Sequence, residues 1–207
     1  MLLFGHVGLT LGAGYLASKL INSKGKHFPF LLRLTGSSPA ALSHTGSYSA
    51  LREEIIQIAS LTVGSMLPDI IDKPVGNLFF SQTFGHNGRI FCHTLLFALL
   101  VLFSAIIYYR WKGKNWFLLL SSGVFMHLIL DFMWSSPETL FWPLLGTSFP
   151  RLQFTNYMGE LWHNLVNSPL LIASETVGLA ITILFFWRLG HEWLSTRNAT
   201  DQKHQLQ

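Results

Sequence analysis

The sequence has little cysteine and little charge. Its single cysteine, Cys92, excludes an intramolecular disulfide and any zinc site built from several cysteines. Lys, Arg, Asp and Glu make up only 12% of the 207 residues, whereas half of the residues are hydrophobic. So few charges would cover the surface of a soluble protein thinly. The composition therefore excludes a disordered chain and indicates a membrane protein.

The excess of basic residues does not indicate a nucleic-acid partner. The formal net charge is +4, but Lys and Arg are scattered between apolar runs and build no concentrated basic stripe. The sequence also lacks HExxH, P-loop, GxSxG and CxxC motifs, which excludes the common enzyme classes that carry them. We predict no nucleic-acid binding, and the nine histidines become the main indication of chemistry.

Five apolar segments approach the ~20 residues that a membrane-spanning helix needs. They are residues 2–21, 55–71, 90–109, 116–134 and 170–189. The predicted fold is all-α, a polytopic membrane helix bundle of about five transmembrane helices. Gly8 and Gly12 in the first segment have the spacing that permits close helix packing, although two isolated glycines in a helix would look the same.

The distribution of Lys and Arg predicts the orientation in the membrane. Most of them lie in or beside the loops 22–54 and 110–115 and the C-terminal tail. On the other side of the membrane, the connecting segments contain only Lys73, Arg89 and Arg151. Cytoplasmic loops carry the excess of basic residues. We therefore expect the N-terminus outside and the C-terminus in the cytoplasm, with residues 191–207 forming a polar cytoplasmic tail.

On this topology, ionisable residues gather at the outer ends of four helices and in the adjoining loops. In chain order they are His6, Asp69, Asp72, His86, Arg89, His93, His127, Asp131 and Glu138. His127 and Asp131 are four residues apart and share a helix face. Asp69 and Asp72 share a face if their helix continues past Pro68, and His93 is expected in the first turn of the third helix.

Such a cluster is typical of a metal site. Ionisable groups at membrane depth are costly and usually pair, bind ions or face a wet cavity. Imidazole and carboxylate together suit Zn²⁺, Mn²⁺ or Fe, and a bound metal would lower the pKa of water and supply a hydroxide nucleophile. Each residue also has a plainer interpretation: His6 could pack, Asp69 and Asp72 could end a helix, and Arg89 could be an interfacial charge.

The remaining histidines are weaker candidates. His163 lies in the outer loop, whereas four others lie on the predicted cytoplasmic side and are expected to be solvated: His27, His44, His191 and His204. Glu175, inside the fifth segment, could bond to a neighbouring helix. A serine mechanism through Ser65 is less favoured because the flanking sequence is not a nucleophile elbow.

Several short motifs resemble those of the YdjM-like family, in the same order. The stretch 64–73, GSMLPDIIDK, resembles the family's GSLLPDxxD. Gly5-His6 resembles its early histidine, and residues 89–94 resemble its HRGxTHS block. His127 to Asp131 resembles its HxxxD block, and Trp142-Pro143 its final WP. The family comprises bacterial and archaeal inner-membrane proteins regarded as metal-dependent hydrolases.

The resemblance implies a metal-dependent hydrolase domain over residues 1–190. The proposed ligands of a divalent metal, zinc before manganese or iron, are His6, Asp69, His93, His127 and Asp131. Asp72 would be a general base or a further ligand, Asp131 a ligand or the residue that orients His127, and Arg89 a clamp for an anionic group. The family histidine before Arg89 is replaced by Gly88, and His86 is a candidate substitute for it. His86 and Glu138 are weaker candidates for the site.

The predicted function is hydrolysis of a phosphoester or other ester of a lipid or lipid-linked substrate from the outer leaflet. The alternative is a non-catalytic membrane protein that uses the His/Asp cluster for ion transport or structural metal binding. A single metal centre requires the ligand side chains to lie within ~10 Å of one another. The sequence predicts no particular oligomeric state.

Overall fold

The computed structural model describes residues 2–23, 44–151, 159, 162–163 and 166–205. Within them all regular structure is helical, which confirms the predicted all-α bundle. In chain order the helices are α1 Leu3–Ser23, α2 His44–Pro74, α3 Ser81–Phe84, α4 Leu95–Lys112, α5 Trp116–Leu130, α6 Pro137–Leu140 and α7 Pro169–Gln205. A π-helical segment, Val75–Phe79, continues α2, and a 3-10 turn, Met133–Ser135, follows α5.

A helix stands at each of the five predicted segments. Three of them contain stretches long and apolar enough to cross a membrane: Leu51–Phe79, Leu95–Lys112 and Pro169–Ser195. The helix α5 is apolar but has only 15 residues, and α1 has the length but carries His6 and Lys19 among its apolar residues. The multi-pass membrane architecture is confirmed, while the number of five spans and the orientation stay predictions.

Several helix ends differ from the sequence-based prediction. Residues 44–54 of the predicted 22–54 loop belong to α2, and 24–43 lie outside the described residues. The helix α2 continues through Pro68 to Pro74, so Asp69 and Asp72 do share one helix. The helix α7 continues past residue 190 to Gln205, so the predicted polar tail is helical up to that residue. The domain boundary at residue 190 stays a prediction.

The start of α4 is later than predicted, and His93 lies in the turn before the helix, not in its first turn. Thr94 is the N-cap, and its side-chain oxygen accepts a hydrogen bond from the N–H of Phe97 at 3.1 Å. This cap satisfies one of the free N–H groups of the first helical turn and fixes the beginning of α4 at Leu95.

The bundle is organised by contacts of α2 with α5 and of α1 with α7, with α4 packed on α5 and α1 also on α2. Two buried clusters form its core. One joins α1, α2 and α5 through Val7, Leu11, Ile58, Leu61 and Leu119. The other joins α4, α5 and the turn after it through Ala98, Val124, Leu128 and Met133. The first cluster thus holds the beginning of α5 and the second its end.

Glycines bring the backbones of the main helix pairs into contact. A Cβ atom at Gly64 would overlap the carbonyl group of Leu120, and one at Gly123 would lie 2.7 Å from the backbone nitrogen of Ser65. Between α1 and α7, a Cβ at Gly8 would overlap the backbone of Gly178. The structure therefore supports the interpretation of Gly8 as a close-packing residue.

The outer faces of α4 and α7 are strongly apolar. Exposed on α4 are Leu96, Leu99, Leu100, Phe103, Ile106 and Ile107, and exposed on α7 are Leu170, Ile172, Val177, Ile183, Leu184 and Phe186. A large apolar surface of this kind is costly in water and suits contact with lipid.

Candidate metal centre

Four buried side chains from α2, the loop before α4 and the end of α5 converge on one point. They are Asp69, His93, His127 and Asp131, and one potential ligand atom from each lies within 4.8 Å of the others. This satisfies the ~10 Å condition for a single metal centre by a wide margin.

The centre of the group is a pair of imidazole rings in an edge arrangement, with an angle of 69° between their planes. The Nε2 atoms of His93 and His127 are 3.1 Å apart. The Nδ1 of His127 lies 2.6 Å from the carbonyl oxygen of Ser65, and the Nδ1 of His93 lies 2.8 Å from Oδ2 of Asp72. Both partners accept hydrogen bonds, so each Nδ1 is assigned the proton and, in the neutral rings, each Nε2 presents a lone pair.

Two lone pairs at this distance repel each other unless they share a cation. Ligand atoms around a tetrahedral zinc ion lie ~3.3 Å apart, close to the observed separation of the two Nε2 atoms. Asp69 Oδ1 is 3.6 Å and Asp131 Oδ2 is 3.8 Å from Nε2 of His93. Two imidazoles and two carboxylates match the donor preferences of zinc, and also of manganese or iron, so the residues present fit such an ion.

Asp72 lies behind His93, on the far side of the ring from the shared Nε2 atoms. In addition to the contact with Nδ1, its Oδ2 accepts hydrogen bonds from the backbone N–H groups of Ile90, Cys92 and His93 at 2.9, 2.9 and 3.2 Å. The carboxylate therefore holds the loop before α4 in one conformation and fixes the orientation of His93. A carboxylate behind a histidine ligand is a common feature of metal sites.

The ring of His127 contacts a backbone carbonyl, that of Ser65. The close contact of α2 and α5 at Gly64 and Gly123 brings the carbonyl of Ser65 within reach of the ring. The hydroxyl of Ser65 donates to the carbonyl of Thr62 within its own helix, at 2.8 Å. Asp131 is one of the potential ligands.

His6 lies against the group from α1. Its ring stacks on that of His127 with centroids 4.2 Å apart, and its Nε2 lies 3.1 Å from Oδ1 of Asp131. The ring is fully buried, and neither nitrogen makes a well-oriented hydrogen bond within the part of the chain that the structure describes. A buried polar group in that situation is costly, and a shared cation would satisfy it.

Glu175 fixes the beginning of α1. From α7 its carboxylate accepts hydrogen bonds from the N–H groups of Leu2, Phe4 and Gly5, at 2.7, 3.0 and 3.1 Å. It thus satisfies free N–H groups at the helix N-terminus and lies favourably in the field of the helix dipole. The next residue, His6, is thereby held against His127.

Two cations contact the carboxylates of the group from outside. Arg89 Nη2 lies 3.0 Å from Oδ2 of Asp131, and Lys73 Nζ lies 2.6 Å from Oδ2 of Asp69. Sequence reasoning identified Arg89 but missed Lys73. The available signal was its position four residues after Asp69, which places both on one face of α2.

The other candidates are not brought into the group. His86 is exposed in a turn with a positive φ of 55°, and the side chains of Glu138, His163 and His191 are exposed as well. Residue 27 and the side chains of residues 44 and 204 lie outside the described residues. Cys92 is buried, and burial beside Asp72 raises the pKa of its thiol to about 12, so it offers no thiolate at neutral pH.

A cavity of about 170 Å³ adjoins the group between the end of α5, the Arg89 loop and the beginning of α7. Arg89 and Asp131 form its polar part, together with Ser168 and Ser174. The rest of its wall is apolar: Leu130, Phe132, Leu170 and Leu171.

A family model covers almost the whole chain. The model of a family described as YdjM inner membrane protein matches residues 1–199. No curated protein and no solved structure matches the chain. The family description agrees with the apolar helices of the structure and places the protein in the inner membrane.

Proposed function

Because the chain belongs to the YdjM family of inner membrane proteins and buries a convergent His/Asp group, we propose that it is an integral membrane metal-dependent hydrolase. One observation carries this proposal. The Nε2 atoms of His93 and His127 face each other at 3.1 Å while both Nδ1 atoms are engaged elsewhere. A pair of neutral imidazoles in this arrangement is prepared to share a cation.

In this proposal His93, His127, Asp69 and Asp131 hold the ion, with zinc preferred to manganese or iron, and His6 is an additional ligand. Asp72 and the Ser65 carbonyl orient the two central rings. A divalent ion in such a site lowers the pKa of water and so supplies a nucleophile near neutral pH. Because the ligand side chains are buried, the site holds little water, and electrostatic interactions with a substrate are stronger.

The proposed substrate is a phosphoester or other ester of a lipid or lipid-linked molecule. Support comes from the cavity beside Asp131, where Arg89 can hold an anionic group while apolar residues contact a hydrocarbon chain. Because Phe132 and Leu170 in the cavity wall are also exposed on the surface of the bundle, a lipid could reach the cavity from the membrane.

The test is metal content and hydrolysis of purified protein in lipid nanodiscs. We expect bound divalent metal in the wild type, and its loss together with loss of hydrolysis in the double variant His93→Ala/His127→Ala. His191→Ala, which changes an exposed histidine of α7, is the matched control and should retain both. If the double variant keeps all its metal and activity, the proposal is wrong. Bound metal without turnover would favour a structural role, and ion flux in liposomes would favour a transport role.

A further inference from the structure

The two cations at the centre have a role that the proposed function leaves open. Building on that function, we propose that Lys73 and Arg89 together bind a dianionic phosphoryl group. The reacting group of the substrate is then a terminal phosphate, as in a phosphomonoester or a diphosphate, and not a carboxylic ester. Lys73 is in this account a substrate-binding residue that acts with Arg89.

Each of the two cations contacts one carboxylate of the ligand group. Asp69 directs Oδ1 toward the imidazole pair and Oδ2 toward Lys73. Asp131 contacts His93 and Arg89 in a similar way, through Oδ2. Each cation is thus separated from the metal-binding point by a single carboxylate.

The cations also remain open to a ligand. The side chains of Lys73 and Arg89 are 38% and 44% exposed, although their carboxylate partners are almost completely buried. A lysine has three N–H donors and an arginine five, so one carboxylate contact does not exhaust either of them. Arg89 in addition lines the cavity beside Asp131.

Lys73 and the loop of Arg89 lie next to each other. A Cβ atom at Gly88 would be only 3.1 Å from Cγ of Lys73, so the residue before Arg89 passes directly across the lysine side chain. The N–H of Arg89 is held by Oδ1 of Asn87 at 2.9 Å, and the side-chain amide of Asn87 bonds to the carbonyl of Pro150. Lys73 and the loop that carries Arg89 are therefore neighbours, and Asn87 holds that loop in place.

The charge balance favours an anionic ligand once a metal is present. Without a metal, the carboxylates of Asp69, Asp72 and Asp131 exceed the two cations by one negative charge. A divalent ion turns this into an excess of one positive charge. A phosphoryl group, which carries one or two negative charges, neutralises or reverses that excess, whereas a neutral carboxylic ester cannot. Lysine and arginine are also the side chains that bind phosphate oxygens best.

The reaction balances with water as the only co-reactant. The water oxygen forms a bond to phosphorus, and the bond from phosphorus to the bridging oxygen breaks. The bridging oxygen leaves with the electron pair and takes up a proton. A phosphomonoester then yields an alcohol and inorganic phosphate, and a diphosphate yields a phosphomonoester and inorganic phosphate.

The first experiment measures binding of inorganic phosphate to the zinc-loaded protein by titration calorimetry. We expect Lys73→Gln and Arg89→Gln each to weaken binding by ~tenfold or more, as loss of one charge-assisted contact predicts. Lys73→Arg should retain binding because it keeps the charge. Lys112→Gln and Arg151→Gln, which remove exposed charges outside the group, are the matched controls. Metal content and thermal unfolding of every variant are measured in parallel.

The second experiment compares p-nitrophenyl phosphate, p-nitrophenyl butyrate and phosphatidic acid in phosphatidylcholine vesicles. We expect hydrolysis of a phosphate substrate and none of the butyrate. Turnover of phosphatidic acid alone identifies a lipid headgroup as the source, and turnover of p-nitrophenyl phosphate alone a soluble one.

The outcomes separate this inference from the function on which it rests. If only the butyrate is hydrolysed, Lys73 and Arg89 do not bind a phosphoryl substrate, but the protein is still a hydrolase. If the metal-loaded protein hydrolyses no substrate, the hydrolase proposal fails. The phosphate-binding experiment then still shows whether Lys73 and Arg89 bind a phosphoryl group. If Lys73→Gln and Arg89→Gln leave phosphate binding unchanged, the proposed role of the two cations is wrong in either case.

Discussion

The two imidazole rings at the centre each use one nitrogen for the protein and leave the other for a ligand. His93 relies on the Asp72 carboxylate and His127 on the carbonyl of Ser65. The sequence motifs predicted His93, His127, Asp69 and Asp131 as metal ligands, because only a few residue types bind metal ions. They did not give the role of Asp72 behind His93, and a backbone partner such as the Ser65 carbonyl leaves no trace in the sequence.

At this scale, Asp72→Asn tests the orientation of His93. The substitution removes a charged acceptor that four N–H groups share, so the ring and its loop should lose their fixed position. We expect metal affinity to fall by ~10- to 100-fold, as is typical when a group behind a ligand is changed. Competition with a chelator of known affinity measures it. Glu138→Gln, at an exposed acidic residue, should have no effect, and an unchanged affinity in Asp72→Asn would show that His93 does not depend on Asp72.

At the scale of helices, apolar length and small residues predicted the main elements, whereas tertiary contacts set their ends. Segment 90–109 looked continuous, but α4 begins only at Leu95 because Asp72 binds the N–H groups of residues 90, 92 and 93. Likewise, the acceptor at the beginning of α1 is Glu175 from α7. Partners more than 150 residues apart cannot be paired from spacing alone.

Gly123→Ala tests the contact between α2 and α5. The added methyl group would lie 2.5 Å from the carbonyl oxygen of Leu61, so the helices must separate and draw the Ser65 carbonyl away from His127. We expect a loss of ~1–3 kcal/mol in the free energy of unfolding and weaker metal binding. Gly190→Ala, where nothing lies within 4 Å, is the control and should not destabilise the protein. Equal stability of the two variants would contradict the close contact.

Glu175→Gln tests how α1 is held. The amide side chain has one acceptor in place of a charged pair of oxygens, so the N–H groups of Leu2, Phe4 and Gly5 should exchange with deuterium faster. The expected loss in stability is ~0.5–2 kcal/mol, as for other N-terminal caps. Thr176→Ala, next to it on the same helix, is the control. Unchanged exchange at the first turn of α1 would show that Glu175 does not cap it.

At the scale of the molecule, the polar group gathers at one end of the helices, while lipid-facing surfaces cover α4 and α7. The scarcity of charge in the sequence predicted the membrane, and the topology derived from the Lys and Arg distribution predicted which helix ends meet. Lys73 escaped this reasoning because a single lysine at a helix end resembles any interfacial charge. Its significance depends on the burial of its partner Asp69.

The predicted orientation can be tested with reporter fusions. Because basic residues concentrate on the flanks 22–54, 110–115 and the tail, a green fluorescent protein fused after Gln207 should fold in the cytoplasm and fluoresce. Alkaline phosphatase at the same position should be inactive, and inserted after Ser148 in the opposite loop it should be active. The reverse pattern would place the metal centre on the cytoplasmic side.

X-ray absorption at the zinc edge of the metal-loaded protein would show whether His93, His127 and the two aspartates hold a divalent ion. We expect only nitrogen and oxygen neighbours at about 2.0–2.2 Å, with the scattering pattern of at least two imidazole rings. His93→Ala/His127→Ala should abolish that pattern. A sulfur neighbour at about 2.3 Å, or a spectrum with no imidazole contribution, would show that the ion is not bound by these residues.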